Sequence, residues 1–200
     1  MKEGLTPATR VLLKTVEILN EFDYDYFLCN GTLLGVIRDS KLIPWDTDLD
    51  IGMTQEIDRN ILRDRFLNKG FHLNDDGYGS DYLTLEYENV RLDFNFFSPR
   101  DHELVTLWNV PRQDFMPRKV LGVLHRLRIP SKMLTWCWTL EGYALPLEMT
   151  LPSREITFLG RSVKIPSNPE TVLAYTYGEN WKIPRRDYDW RKDGQNNAYG

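Results

Sequence analysis

The chain has few cysteines and no regular cysteine spacing. Among its 200 residues only Cys29 and Cys137 are present, far apart and without a CxxC pair. Two such thiols build neither a disulfide framework nor a four-cysteine zinc site, so we expect buried free thiols and a reducing, cytoplasmic compartment. Two hundred residues bury a core without such staples, and we expect a single domain over residues 1–200.

Long apolar runs and an excess of basic charge are also missing. The longest nearly uncharged apolar run, residues 133–140, is far shorter than the ~18 residues that a bilayer crossing needs, so we expect no membrane span and no targeting segment. The 25 Lys and Arg against 29 Asp and Glu give a net charge of −4, which disfavours a nucleic-acid partner. The basic stretch 112–132 leaves two interpretations open: a solvated face, or a surface that docks an anionic glycan or a lipid headgroup at a membrane.

Hydrophobic periodicity predicts an α/β (α+β) protein with a mixed β-sheet and flanking helices. We expect helices at about 7–21, 54–68 and 168–177, a short helix after Asn30, and strands near 24–29, 49–51, 71–73, 82–87 and 90–97. The core of the domain is placed at about 22–97. Residues 98–184 are interrupted by prolines and are expected to hold a hairpin at 155–165 that turns on Gly160-Arg161, and the polar tail 185–200 is expected to fray.

Three aspartates alternate along one predicted strand. In an extended chain Asp46, Asp48 and Asp50 share one face at steps of about 6.5–7 Å, while the apolar residues between them face the core. The three carboxylates repel one another. This repulsion is tolerated on a solvated turn or around a hard cation such as Mg²⁺ or Mn²⁺, and both interpretations stand. A calcium-binding EF-hand loop is excluded, because its obligatory glycine and glutamate positions are occupied by Ile51 and Ile57.

A fourth carboxylate, Asp93, lies in an apolar strand with Arg91 and Asn95 on its own face. Alone, it fits an ion pair with Arg91 as well as a metal site. Beside the acidic strand, the metal site is favoured, because two-metal phosphoryl transfer uses a carboxylate from a neighbouring strand.

A glycine turn precedes the acidic strand. Gly31 and Thr32 follow a predicted strand and open a helix, where a phosphate can approach the backbone N–H groups and the helix dipole. A plain helix cap is the alternative. Arg38, further along the same helix, fits a counter-ion of the acidic strand.

The motifs together resemble the LicD and fukutin-related branch of the nucleotidyltransferase superfamily. The resemblance rests on GTLLGVIR at 31–38, IPWDTDLDIGM at 43–53, LDF at 92–94 and YGENWKIP at 177–184. It runs from about residue 22 to 184, with a poorly matched middle at 98–145. The chain lacks the cysteine-rich zinc insertion of some animal relatives, so the acceptor is not carried over.

The resemblance implies a metal-dependent phosphotransferase. It would move a phosphorylated alcohol, such as phosphocholine or ribitol phosphate, from a CDP-activated donor to a hydroxyl of a glycan or cell-surface polymer precursor. Asp48, Asp50 and Asp93 match the metal ligands, Gly31 and Thr32 the phosphate turn, and Arg38 a position that could fork a donor phosphate. Three roles stay open for Asp46: a general base, a residue that contacts the metal ligands without touching the metal, or a cap at the end of the strand.

Two other functions remain as alternatives. One is a nucleotidyltransferase that adds a nucleoside monophosphate to a small molecule and releases pyrophosphate. The other is a catalytically inactive nucleotide- or sugar-binding module.

Overall fold

The computed structural model describes residues 4–54, 56–75, 80–111, 127, 138–194 and 197–199. The helices described are α1 (Pro7–Glu21), α2 (Asn30–Asp39), α3 (Arg59–Asn68), α4 (Leu147–Thr150), α5 (Pro169–Tyr177) and α6 (Trp190–Asp193). The strands described are β1 (Tyr26–Leu28), β2 (Asp48–Thr54), β3 (His72–Asp75), β4 (Tyr82–Tyr87), β5 (Val90–Arg100), β6 (Glu103–Pro111), β7 (Trp138–Pro146), β8 (Arg154–Phe158), β9 (Arg161–Ile165) and β10 (Asn197–Tyr199).

The fold is built on one mixed sheet, which agrees with the predicted α/β class. Its main path runs β1-β2-β5-β6-β7-β10, and β4 pairs with β5 while β3 pairs with β4. The pairing of β2 with β5 is parallel, and the other strand pairs of the described sheet are antiparallel. The strands β8 and β9 form a separate hairpin. Two strands that carry carboxylates therefore run side by side in the same direction.

Helix α1 forms as its sequence predicts. Pro7 occupies the first turn, and the Thr6 hydroxyl accepts a hydrogen bond from the Thr9 N–H at 3.2 Å. The side chains of Val11 and Leu12 are completely buried, so the apolar stripe of the helix packs into the core. The expectation of a helix over 7–21 is confirmed.

The alternation of side chains along β2 and β5 separates core from site. Leu49 and Ile51 of β2 are buried in the core, as is Phe94 of β5. The residues between them, Asp50 of β2 and Asp93 of β5, face a cavity instead. The period of two in these strands thus places the polar side chains of both on one face.

The start of α3 differs from the prediction. Thr54 is not the start of this helix but the last residue of β2, paired with Phe97. The helix begins at Arg59, after an aspartate cap: the Asp58 carboxylate accepts from the N–H groups of Asn60 and Ile61 at 2.8 and 3.2 Å. This cap, which the predicted start at Thr54 does not include, supplies the acceptor that the first turn of a helix needs.

The sheet also continues beyond residue 97. Strands β6 and β7 lie where the prolines had suggested an irregular segment, and they pair over nine positions. The hairpin formed by β8 and β9 turns on Leu159-Gly160, both at positive φ, and not on Gly160-Arg161 as predicted. The tail contains α6 and β10, and β10 pairs with β7, so the prediction of a frayed tail was wrong for these residues.

Candidate active site

A cavity of about 950 Å³ opens beside β2, β5 and the N-terminus of α2. The carboxylates of Asp46, Asp48, Asp50 and Asp93 all line it. Asp50 and Asp93 are direct neighbours across the parallel pair, and Asp48 lies opposite Arg91. The structure thus brings together the four aspartates that the sequence singled out.

Asp50 is held in place from three sides. Its backbone N–H donates to the Thr32 hydroxyl at 2.8 Å, and the Asn95 amide donates to its carboxylate at 3.2 Å. The Asn30 side chain also donates to this carboxylate. These contacts orient the Asp50 carboxylate before any ligand arrives, which is what a preorganised charged site requires.

Burial and like charges raise the pKa values of the cluster. Desolvation, followed by repulsion from Asp48 and Asp93, raises the pKa of Asp50 well above its usual range. Desolvation and repulsion from Asp48 raise the pKa of Asp46 to about 6, although Asp46 sits at the exposed mouth of the cavity. Burial also raises the pKa of Asp93, against hydrogen bonds from Arg91 and Thr84 that lower it.

The ion pair considered for Asp93 is present. The Arg91 guanidinium donates from Nε to Oδ1 and from Nη2 to Oδ2, both at 2.9 Å. The Thr84 hydroxyl donates to Oδ1 at 2.6 Å. Asp93 is therefore a buried carboxylate with both oxygens engaged.

The acidic pair on β2 fits a hard divalent cation. In the described part of the chain, neither Asp48 nor Asp50 forms an ion pair with a basic side chain, and a cation would relieve the repulsion that raises the pKa of Asp50. Among these residues, no three acidic, histidine or cysteine side chains are arranged so that they could hold a metal ion by themselves. Mg²⁺ commonly needs only one or two carboxylates, since substrate phosphates and waters supply its other ligands.

The two residues of the predicted phosphate turn lie in different surroundings. Gly31 lines the cavity, whereas Thr32 is buried and its hydroxyl is used by the Asp50 N–H. The Cys29 side chain makes no capping bond to α2, which leaves the first turn of the helix facing the cavity. A Cβ added at Gly31 would collide with the Asp46 carboxylate, so the neighbour that requires glycine here is a side chain of the site itself.

Arg38 lines the cavity but is paired with its chain neighbour. Its guanidinium donates to both carboxylate oxygens of Asp39, at 3.0 and 2.8 Å, and its side chain is 7% exposed. These hydrogen bonds lower the pKa of Asp39. The counter-ion of Arg38 is thus Asp39 and not the acidic strand.

Several lining residues come from parts of the chain that sequence reasoning left aside. Asn30, at φ +47°, donates to the Tyr143 hydroxyl at 3.0 Å and so connects α2 to β7. The segment 178–193 forms another wall, in which Arg186 lies 4.7 Å from the ring centroid of the 40% exposed Trp45. The YGENWKIP motif was a signal for this wall, but its spatial neighbours depend on long-range packing.

The fold is of the nucleotidyltransferase type. The crystal structure of ANT(2")-Ia in complex with adenylyl-2"-tobramycin superposes with a TM-score of 0.51 and 14% identity, over 94% of this chain and 84% of that chain. At this identity the likeness concerns the fold alone. Residues 23–168 match the family model described as LicD/FKTN/FKRP, nucleotidyltransferase domain, and the chain belongs to this family.

Two curated relatives are similar to this chain over most of its length. Human ribitol-5-phosphate transferase FKTN is 25% identical over 194 residues, which cover 94% of this chain and 36% of the relative. Mouse ribitol 5-phosphate transferase FKRP is 26% identical over 163 residues, which cover 82% of this chain and 29% of the relative. The chain therefore spans about a third of the length of these proteins.

Two expectations about surfaces have different outcomes. The basic stretch 112–132 lies outside the described residues except for Leu127, so its docking role stays a prediction. Within the described ranges, none of the helices has the length and apolar character needed to cross a membrane.

Proposed function

We propose that this protein is a metal-dependent phosphotransferase that moves a phosphorylated alcohol from a CDP-activated donor to a hydroxyl of a glycan. The observation that carries the proposal is the acidic cluster on β2, aimed into a cavity that also receives the N-terminus of α2. A diphosphate is the ligand that such a place accommodates, because a helix N-terminus binds anions and hard cations join carboxylates to phosphates. The names of the FKTN and FKRP relatives favour ribitol phosphate as the transferred group.

Asp48 and Asp50 are the residues that would hold Mg²⁺ or Mn²⁺. When bound, such an ion neutralises charge on the donor diphosphate and stabilises the leaving phosphate. The protein contributes position: Thr32, Asn30 and Asn95 fix Asp50, so the charge is in place before the donor binds.

The transfer is an in-line displacement at the phosphorus that carries the alcohol. The acceptor oxygen forms the new P–O bond, the P–O bond to the cytidine phosphate breaks, and CMP leaves with the bonding electrons. Asp46 would take the acceptor proton, because its carboxylate lines the same cavity as Asp48 and Asp50, where the acceptor hydroxyl would meet the donor.

A donor panel tests this function. CDP-ribitol, CDP-choline and CTP are each incubated with the protein, Mg²⁺ and a glycan acceptor, and CMP and pyrophosphate are measured separately. We expect CMP from a CDP-alcohol, with loss of activity when EDTA is added. Pyrophosphate from CTP would instead identify a nucleotidyltransferase, and nucleotide binding without any turnover would identify a binding module.

A further inference from the structure

Asp93 already has a cation. The residue is 8% exposed, and its carboxylate receives two hydrogen bonds from Arg91 and one from Thr84, at 2.6–2.9 Å. With Thr84, this bidentate guanidinium pair uses three of the about four acceptor positions of the carboxylate, so a metal ion at Asp93 would have to share the carboxylate with Arg91 or displace it. A metal ion at Asp93 would therefore compete with a guanidinium that already balances the charge of the carboxylate.

Arg91 also borders the cavity in which the donor would bind. Its side chain is 54% exposed and lines the cavity, although its Nε and Nη2 are turned towards Asp93. Opposite it in the parallel pair is Asp48. The guanidinium has further N–H donors beyond those used by Asp93, and a fork of this type matches the geometry of phosphate oxygens.

We propose that Arg91, held by Asp93 and Thr84, serves as the second cation of the site and binds the donor diphosphate beside one metal ion at Asp48 and Asp50. The inference rests on the proposed function for the identity of the donor. Asp93 is then a positioning residue for Arg91, in contrast to the metal-ligand role that the family resemblance implies for it.

Metal stoichiometry tests the division of roles without any turnover. Mn²⁺ is titrated into the metal-free protein and followed by EPR, for the wild type, Asp93→Asn and Asp50→Asn. We expect one Mn²⁺ per wild-type chain, one in Asp93→Asn, and loss of binding in Asp50→Asn. Two ions in the wild type, one of them lost in Asp93→Asn, would overturn the proposal, and the wild-type count alone is decisive if a variant fails to fold.

Ligand binding tests the role of Arg91. CDP and inorganic pyrophosphate are titrated by calorimetry at saturating Mn²⁺ into the wild type, Arg91→Lys and Arg91→Gln. We expect Kd to rise about tenfold or more for both ligands, because lysine keeps the charge but loses the fork. Arg10→Lys is the matched control, since Arg10 donates from Nε and Nη2 to Glu88 and lies away from the cavity lining.

The two probes separate this inference from the proposed function. Unchanged affinity of both ligands in Arg91→Lys and Arg91→Gln would overturn the role of Arg91. Wild-type protein that binds pyrophosphate in an Arg91-dependent manner, but not CDP, would support Arg91 as the diphosphate ligand and contradict the cytidine donor.

Discussion

The Asp50 carboxylate lies in a place that disfavours its charged form. Burial and the neighbouring carboxylates raise its pKa, yet Asn30 and Asn95 donate to the carboxylate and Thr32 accepts from the backbone N–H of the same residue. Proteins keep such a charge where a ligand uses it, and perturbed carboxylates in a cleft are typical of functional sites. The chemistry of the site is therefore expected to depend on the charge of Asp50 more than on its shape.

Asp50→Asn tests this dependence. Because the amide keeps the shape but not the ligand charge, we expect transfer activity to fall by about a thousandfold or more with an unchanged or higher melting temperature. Steady-state CMP release and thermal unfolding in metal-free buffer measure the two effects. Asp64→Asn, at an exposed site on α3, is the control. Activity close to that of the wild type would remove Asp50 from the site.

The raised pKa of Asp46 gives a second prediction, on the pH dependence of stability. Its folded pKa of about 6 lies above the ordinary value of 3.8, so the folded state binds the proton more tightly than the unfolded state. The contribution of Asp46 to the stability of the folded state is fully present below pH 3.8 and is lost as the pH rises through about 6. Asp46→Asn should therefore flatten the fall in melting temperature between these pH values in metal-free protein. Coinciding curves for the wild type and Asp46→Asn would contradict the assignment.

At the scale of elements, β2 packs tightly against β1. Gly52 of β2 is paired with Phe27 of β1, and a Cβ at Gly52 would collide with the Phe27 ring. The Phe27 ring therefore fills the space above Gly52 that a side chain would need, and this contact packs β1 against β2.

Gly52→Ala should destabilise the protein by about 1–3 kcal/mol, the usual cost of overpacking a core. Urea unfolding measures the change, with Thr47→Ala as an exposed control expected within about 0.5 kcal/mol of wild type. A neutral Gly52→Ala would show that β1 and β2 separate more easily than their packing indicates.

The sequence was sufficient where local patterns decide the structure. The period of two in β2 and β5 separated core residues from Asp48, Asp50 and Asp93, and the capped periodic stretch gave the bounds of α1. It was insufficient for β6 and β7, because their pairing depends on long-range contacts that no local pattern encodes and because prolines interrupt the region. The engagement of Asp93 by Thr84 depends on the pairing of β4 with β5 in the same way.

At the scale of the whole molecule, the cavity is completed by residues far apart in the sequence. The segment 178–193 lies against α5, where the Tyr188 ring packs on Tyr177 with centroids 4.9 Å apart and its hydroxyl donates to the Thr176 carbonyl at 3.3 Å. The site thus needs the C-terminal segment as well as the acidic strands.

Tyr188→Ala should loosen this wall. We expect the KM for the donor to rise several-fold with a smaller effect on kcat, because in the proposed function this wall would contact the donor away from the reacting phosphorus. Tyr188→Phe keeps the ring packing and is expected to stay close to wild type. Equal kinetics for Tyr188→Ala and wild type would place the donor elsewhere in the cavity.

In the proposed reaction, the bond broken lies between the two donor phosphates, and the outer phosphate travels with its alcohol. The most direct test uses CDP-ribitol labelled with ³²P on either phosphate, incubated with the protein, Mg²⁺ and a glycan acceptor. We predict that label on the ribitol-side phosphate appears in the acceptor and label on the cytidine-side phosphate appears in CMP. Label from the cytidine-side phosphate in the acceptor would contradict the account, because it would mean that the nucleotide itself is transferred.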